Sequence, residues 1–147
     1  AYDAVSWQTV FLLACLIPLG MAMEQSGAAQ YLAAHALEVM DGLPVWMIQL
    51  LLAIIATVFT LVMSNVGATV LLVPLGIQMA LGVGADPAIF ALTIALATSN
   101  SFLIPTHQVN ALIMGPAGYK VRDFMRVGAG MTVLFLFVML LMLNLFY

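Results

Sequence analysis

The fold of this chain is organised around one short stretch, Val62-Met63-Ser64-Asn65-Val66-Gly67-Ala68. Apolar runs flank it over 46–61 and 70–81, and the interval 42–85 contains no charged residue. A Ser-Asn pair followed by Gly is a poor helix interior, because Ser and Asn compete for backbone hydrogen bonds and Gly adds an entropic cost. In hydrocarbon, broken backbone is tolerated only where protein buries it or where it lines a watery cavity. Two half-helices meeting at such a break indicate a transporter binding site, with a Ser/Asn kink in an ordinary helix bundle as the alternative.

The composition predicts an all-α integral membrane protein. Hydrophobic residues make up 65% and charged residues 6% of the 147 residues, and the mean hydropathy is +1.20. Soluble domains carry roughly 25% charged residues, so we expect the lipid bilayer to surround this chain. A net charge of −3 provides no basic surface for nucleic acid. The single Cys15 excludes a disulfide within the chain.

The first part of the chain predicts a spanning helix and then a surface helix. The segment 5–23 is long enough to cross a membrane at roughly 20 residues, whereas 28–40 is too short. The two faces of 28–40 differ in polarity, with Tyr31, His35 and Glu38 on one and Leu32, Ala36, Val39 and Met40 on the other. We therefore predict an interfacial helix over 28–41. His35 is interpreted as a solvated residue of the polar face, with a pH-sensing or ligand role as the alternative.

The middle of the chain predicts two helical pieces that meet at the break. Gly42 and Pro44 stop one helix and start the next, and the helix over 44–63 then reaches Ser64-Asn65. The second piece, 68–81, has about 14 residues and is short for a span. A re-entrant hairpin and a broken spanning helix therefore both remain open. Residues 82–87 predict a loop in which Asp86 is the N-cap of the following helix.

A second polar break follows the apolar segment 88–97. It reads Thr98-Ser99-Asn100-Ser101-Phe102-Leu103-Ile104-Pro105-Thr106-His107-Gln108-Val109-Asn110. Pro105 removes a backbone donor and biases Ile104 away from the helical region, which frees carbonyl groups. Free carbonyl oxygens are able to coordinate a hard cation. We expect this break and the one at Ser64-Asn65 to approach closely enough to share an ion.

The basic residues predict the orientation of the chain in the membrane. All three of them, Lys120, Arg122 and Arg126, cluster after the second break. By the positive-inside rule the loop 119–126 is cytoplasmic, and the uncharged segment 127–147 then spans and leaves the C-terminus outside. We expect one multi-pass transmembrane domain over 1–147 in the cell membrane. Because the chain starts without Met or a basic n-region, we interpret it as a segment of a longer protein and not as one led by a signal peptide.

Motifs distributed along the chain resemble those of the divalent anion:sodium symporter family. They are Ile17-Pro18-Leu19-Gly20-Met21-Ala22-Met23-Glu24-Gln25-Ser26-Gly27-Ala28, Ser64-Asn65, Pro105-Thr106-His107-Gln108-Val109-Asn110, Gly115-Pro116-Ala117-Gly118-Tyr119 and Arg126-Val127-Gly128. The likeness is greatest to the permease branch whose loop reads His-Gln-x-Asn. It implies one inverted-repeat half of an ion-transporter fold, with a re-entrant hairpin and a broken transmembrane helix. The partners it implies are the N-terminal inverted repeat and, in a homodimer, a second carrier.

The resemblance also implies where ligands bind, since in this family a Ser-Asn-Thr signature at the hairpin tip faces the helix break. It places the anionic substrate at Ser64, Asn65, Val66, Gln108 and Asn110. It places sodium at Thr60, Met63, Asn65, Thr106 and His107. Hard oxygen ligands suit a hard cation and helix N-termini suit an anion, so the chemistry agrees. Sodium is expected as the coupling ion, without another metal or cofactor.

Two departures from the family pattern bear on the substrate. Val66 stands where the signature has Thr, and the loop before Asn110 is one residue shorter than in the Thr-Pro-Pro-Asn carriers. A small oxyanion such as sulfate is therefore favoured over a dicarboxylate. The predicted function is sodium-coupled uptake of a small divalent anion by alternating access, and no enzymatic activity is expected.

The same polar residues are compatible with other functional classes. A proton-coupled antiporter of similar architecture would use His107 as the proton carrier. A non-catalytic helix bundle would use the same polar residues to hold its helices together. An intramembrane protease would pair Ser64 with His107, but the Gly-x-Ser-Gly elbow typical of such enzymes is absent from the sequence.

Overall fold

The computed structural model describes residues 7–103 and 120–146, and every regular element in these ranges is a helix. In chain order the helices are α1 (Trp7–Gln25), α2 (Ala28–Val39), α3 (Val45–Val62), α4 (Asn65–Val83), α5 (Pro87–Ala97) and α6 (Val121–Phe146). Among them, α3, α4 and α6 are long and apolar enough to cross a membrane. The prediction of an all-α membrane fold is confirmed.

The break between α3 and α4 is shorter than the sequence indicated. Only Met63 and Ser64 leave the helical conformation, and both are extended. Helix α4 begins at Asn65 and not at residue 68, because the Ser64 side chain accepts a hydrogen bond from the Gly67 backbone N–H at 3.2 Å and caps the new helix. The resulting helix has 19 residues and is long enough to span. The length of the helix therefore permits a span, and the choice between a broken spanning helix and a re-entrant hairpin stays a prediction.

Helices α4 and α5 form an antiparallel hairpin. Gly84 ends α4 at φ 71°, a left-handed conformation that glycine adopts without steric cost. The predicted cap is confirmed, since Asp86 Oδ1 accepts from the Ala88 N–H at 2.8 Å. The predicted loop starts late, because residues 82 and 83 still belong to α4. Midway along the hairpin a Cβ on Gly76 would overlap Ile94, so the two helices pack closely there.

The core of the described residues lies between α3, α4 and α5. Its largest fully buried apolar side chains are Leu52, Met79, Phe90 and Ile94. Helix α1 packs on the start of α4, where a Cβ on Gly20 would lie 2.9 Å from Val70 Cγ1. Helix α1 therefore supports the first turns of α4, next to the polar residues at the open end of the hairpin.

Helix α2 packs on α4, with small residues buried in the contact. Ala29 and Ala33 are buried, while Leu32 and Val39 of the predicted apolar face are 48% and 82% exposed. Small residues one turn apart let two helices approach closely, so alanines and not larger residues make this contact. The predicted polar face is exposed, with Tyr31 stacked on His35 and His35 Nδ1 lying 3.2 Å from Glu38 Oε2. That α2 lies along the membrane surface stays a prediction.

Helix α6 starts earlier than the predicted span. It includes Arg122 and Arg126, so most of the segment 119–126 is helix and not loop, a correction to the sequence-based assignment. Asp123 in the first turn favours this start, because an acidic residue there complements the helix dipole. Asn144 near the other end donates to Gln49 Oε1 of α3 at 3.0 Å. The sidedness of the basic cluster and of the C-terminus stays a prediction.

Candidate functional site

The candidate site lies where α4 begins and α5 ends. The hydroxyl oxygens of Thr69, in the second turn of α4, and Thr98, the C-cap of α5, are 2.7 Å apart. Thr69 Oγ1 also donates to the Asn65 carbonyl at 2.7 Å. The break at Ser64-Asn65 and the first residues of the second polar tract are therefore neighbours in space.

The α4 side of the site presents hydrogen-bond donors. The first N–H groups of a helix have no intrahelical acceptor. Ser64 satisfies the one on Gly67, while those of Asn65 and Val66 find no acceptor among the residues that the structure describes. Ser64 Oγ accepts in this contact, so its own proton remains free to be donated. Donor groups at a helix N-terminus suit an anion.

The α5 side of the site presents oxygen acceptors. Thr57 Oγ1 on α3 reaches the Ala97 carbonyl at 3.4 Å, and Thr60 Oγ1 donates to the Thr57 carbonyl at 2.7 Å. Thr57, Thr60 and Thr98 are all buried. Hydroxyl and carbonyl oxygens around the carbonyl end of a helix suit a hard cation. Across residues 7–103 and 120–146, no cluster of His, Cys, Asp and Glu with the composition of a transition-metal site occurs.

The structure places five of the predicted site residues at this location. Thr60 ends the buried face of α3, Met63 is its C-cap, and Ser64, Asn65 and Val66 follow directly. The remaining predicted ligands lie outside the described residues, namely Thr106, His107, Gln108 and Asn110. Pro105 lies outside them as well, so the approach of 105–107 to Ser64-Asn65 stays a prediction.

The sequence analysis did not identify all of the threonine hydroxyls at this location. Thr57 and Thr69 were not proposed for the site, although they lie one turn before Thr60 and one turn after Asn65. This spacing places Thr57 on the same helix face as Thr60, and Thr69 on the same face as Asn65. The spacing could therefore have predicted both threonines as site residues. Thr132 was also missed, and its hydroxyl donates to Asn100 Oδ1 at 3.3 Å. No local pattern predicts that contact, because the two residues are joined only by the packing of α6.

Comparison with known proteins places the chain among transporters. Residues 1–95 match the citrate transporter family, CitMHS. An uncharacterized transporter of Synechocystis sp. is 38% identical over 134 residues, which cover 90% of this chain and 22% of that protein. A sodium-dependent high-affinity dicarboxylate transporter of Caenorhabditis elegans is 31% identical over 143 residues, 97% of this chain and 25% of that protein. Solute carrier family 13 member 2 of Rattus norvegicus is 31% identical over 127 residues, 86% of this chain and 22% of that protein.

These matches bear on two of the sequence-based predictions. The chain spans about a quarter of the length of the relatives it matches. The resemblance drawn from the sequence motifs is confirmed, and so is the prediction of a transport protein and not an enzyme. By the match over residues 1–95, this chain belongs to the citrate transporter family.

Proposed function

We propose that this chain is one inverted-repeat half of a sodium-coupled carrier that takes up a small divalent anion by alternating access. The observation that carries the proposal is the 2.7 Å contact between Thr69 and Thr98. It holds the N-terminal end of α4 against the C-terminal end of α5. A helix N-terminus favours negative charge and a helix C-terminus favours positive charge. One location can therefore serve an anion and a sodium ion together.

The anion would bind at the α4 side. Asn65 is only half-buried, so its side-chain amide is reachable, and the N–H groups of Asn65 and Val66 have no acceptor among the described residues. The Ser64 hydroxyl adds a further donor. Several donors converging on one oxyanion give charge-assisted hydrogen bonds, which are stronger than neutral ones. Gln108 and Asn110 complete the proposed anion contacts.

Sodium would bind between α3 and the end of α5. The Thr60 hydroxyl donates its proton to Thr57, so its oxygen lone pairs are left for a cation. The Met63 carbonyl and the Asn65 amide oxygen are the neighbouring acceptors proposed from sequence, with Thr106 and His107 on the facing segment. Sharing Asn65 between both ligands would couple their binding, since its amide offers one oxygen and two donors.

The relatives bear on the class of substrate. The matched family is one of citrate transporters, and the Caenorhabditis elegans relative is a sodium-dependent dicarboxylate transporter. These names support a small anion with several negative charges. Val66 provides no hydroxyl where the family signature has Thr, which supports sulfate as the smaller alternative. The N-terminal inverted repeat is the proposed partner for alternating access. We also propose that the full-length carrier forms a homodimer and that its segment 119–126 lies on the cytoplasmic side of the membrane.

Uptake into liposomes tests this function. The full-length carrier that contains this chain is reconstituted, and uptake of radiolabelled sulfate and of a labelled dicarboxylate is followed with and without an inward sodium gradient. We expect sodium to drive accumulation of one of the two anions above its external concentration. Accumulation driven by a pH gradient and indifferent to sodium would instead support the proton-coupled alternative.

A further inference from the structure

One face of α6 contacts the polar tract that follows α5. Gly128, Thr132 and Phe135 are spaced four and three residues apart, so they share that face. Each contacts a different part of the tract: Gly128 meets the Phe102 backbone, Thr132 donates to Asn100 Oδ1 at 3.3 Å, and Phe135 packs edge-on against Phe102 with ring centroids 6.1 Å apart. A single helix face therefore holds the segment 100–103 at its start and at its centre.

The contact at Gly128 requires the absence of a side chain. A Cβ there would overlap the Phe102 carbonyl oxygen and lie 2.8 Å from the Phe102 carbonyl carbon. Both atoms are backbone, so the segment 100–103 would have to move as a unit to make room. Gly130 lies two residues further along the same helix and has no atom within 4 Å of its Cβ position. Both glycines therefore lie on α6, but only Gly128 is in close contact with another segment of the chain.

The contact at Asn100 is buried and polar. Asn100 is fully buried, and its Nδ2 has no hydrogen-bond partner among the described residues. A buried amide with an unused donor destabilises the fold, so such a residue is kept where another requirement outweighs that cost. Thr132 fixes the oxygen of this amide and with it the orientation of the whole group. Asn100 follows Thr98 by two residues, which places this anchor beside the candidate site.

We propose that α6 is the positioning element for residues 98–103, the start of the second polar break, and that Gly128 and Thr132 are its positioning residues. They hold 100–103 at a fixed distance from α6, and thereby set where the Ala97 carbonyl and the Thr98 hydroxyl stand relative to Ser64-Asn65. This inference rests on the proposed function, because its readouts are ion and anion affinity. Neither residue needs to touch a ligand, since both act through the segment that directly follows Ala97 and Thr98.

The matched pair Gly128→Ala and Gly130→Ala tests the proposal in the full-length carrier. Membrane abundance, the sodium concentration for half-maximal uptake, the anion KM and the maximal rate are measured for each. For Gly128→Ala we expect the half-saturating sodium concentration to rise about tenfold at comparable abundance, as for one lost ligand contact. Gly130→Ala should stay within about twofold of the wild type, because nothing opposes its methyl group. Equal values for the two variants would overturn the proposal.

A second pair keeps the test decisive if Gly128→Ala does not accumulate. Thr132→Ser retains the hydroxyl and should keep wild-type affinities, whereas Thr132→Val should raise the sodium requirement or the anion KM. A maximal rate and abundance that fall together at unchanged affinities would show that α6 has only a structural role. If wild-type uptake proves independent of sodium, the proposed coupling fails, and the anion KM of the same variants still decides whether α6 positions the break.

Discussion

Thr69 and Thr98 share a hydrogen bond of 2.7 Å across the open end of the α4–α5 hairpin, although 29 residues separate them in sequence. The contact holds the donor end of one helix beside the acceptor end of the other. In an apolar bundle such interhelical hydroxyl pairs also contribute to stability. The same bond therefore links the stability of the hairpin to the arrangement of the proposed site.

A double-mutant cycle on this pair measures that link. Thr69→Val and Thr98→Val are close to isosteric, so each removes a hydroxyl with little change in volume. We expect a coupling free energy of roughly 0.5–1.5 kcal/mol in the free energy of unfolding, as for a direct hydrogen bond. The measurement is unfolding of the purified protein in detergent. Strictly additive effects would mean that the two hydroxyls do not stabilise each other.

Asn65→Ala should nearly abolish transport. The substitution removes the amide proposed to contact both anion and sodium, and we expect uptake at low anion concentration to fall by roughly 100-fold. Val62→Ala is the control, because Val62 lies three residues away and is 86% exposed. Wild-type uptake by an Asn65→Ala carrier of normal abundance would reduce Ser64-Asn65 to a structural kink.

Thr60→Val should act mainly on sodium. The Thr60 hydroxyl lies one turn before Ser64 and is buried on α3. Its loss should raise the half-saturating sodium concentration by about tenfold and leave the anion KM at saturating sodium nearly unchanged. Thr60→Ser retains the oxygen and should behave as the wild type. An effect confined to the anion KM would move Thr60 out of the sodium site.

Val66→Thr should act mainly on the anion. Val66 is exposed in the first turn of α4, where an added hydroxyl would supplement backbone N–H groups that have no acceptor among the described residues. We expect the ratio of dicarboxylate to sulfate uptake to increase, with an unchanged sodium requirement. Val66→Ala, which changes size without adding a donor, is the matched comparison. A change in the sodium requirement alone would contradict the assignment of this residue to the substrate side.

Cysteine labelling tests the position of α2. Cys15 is exposed and must first be replaced, so that a single introduced cysteine reports its own position. Cysteines at Tyr31, His35 and Glu38 should react rapidly with a water-soluble maleimide, while those at Ala29 and Ala33 should be protected by α4. Uniform protection along the segment would instead make α2 a buried span.

Local chemistry along the chain was sufficient to predict much of the fold. The lack of charge indicates helices in a membrane, and a new helix starts after Ser64 because its side chain accepts a backbone hydrogen bond. Asp86 caps α5 as predicted, although the helix already begins at Pro87, which the sequence analysis placed in the loop. These features depend only on residues that are adjacent in the chain, so they can be predicted from the sequence alone.

The contacts between helices depended instead on tertiary packing. Helix α4 starts at Asn65 because Ser64 caps it, and α2 packs through its alanines because α4 approaches closely there. The partners Thr69 and Thr98, or Asn100 and Thr132, lie too far apart along the chain for periodicity to pair them. Which residues form such pairs depends on the crossing angles and distances between the helices. Those angles and distances depend in turn on the shapes of side chains on several helices at once. A polar tract in the sequence therefore identified where a site was to be sought, and the packing of α3, α4, α5 and α6 determined which oxygens and donors meet there.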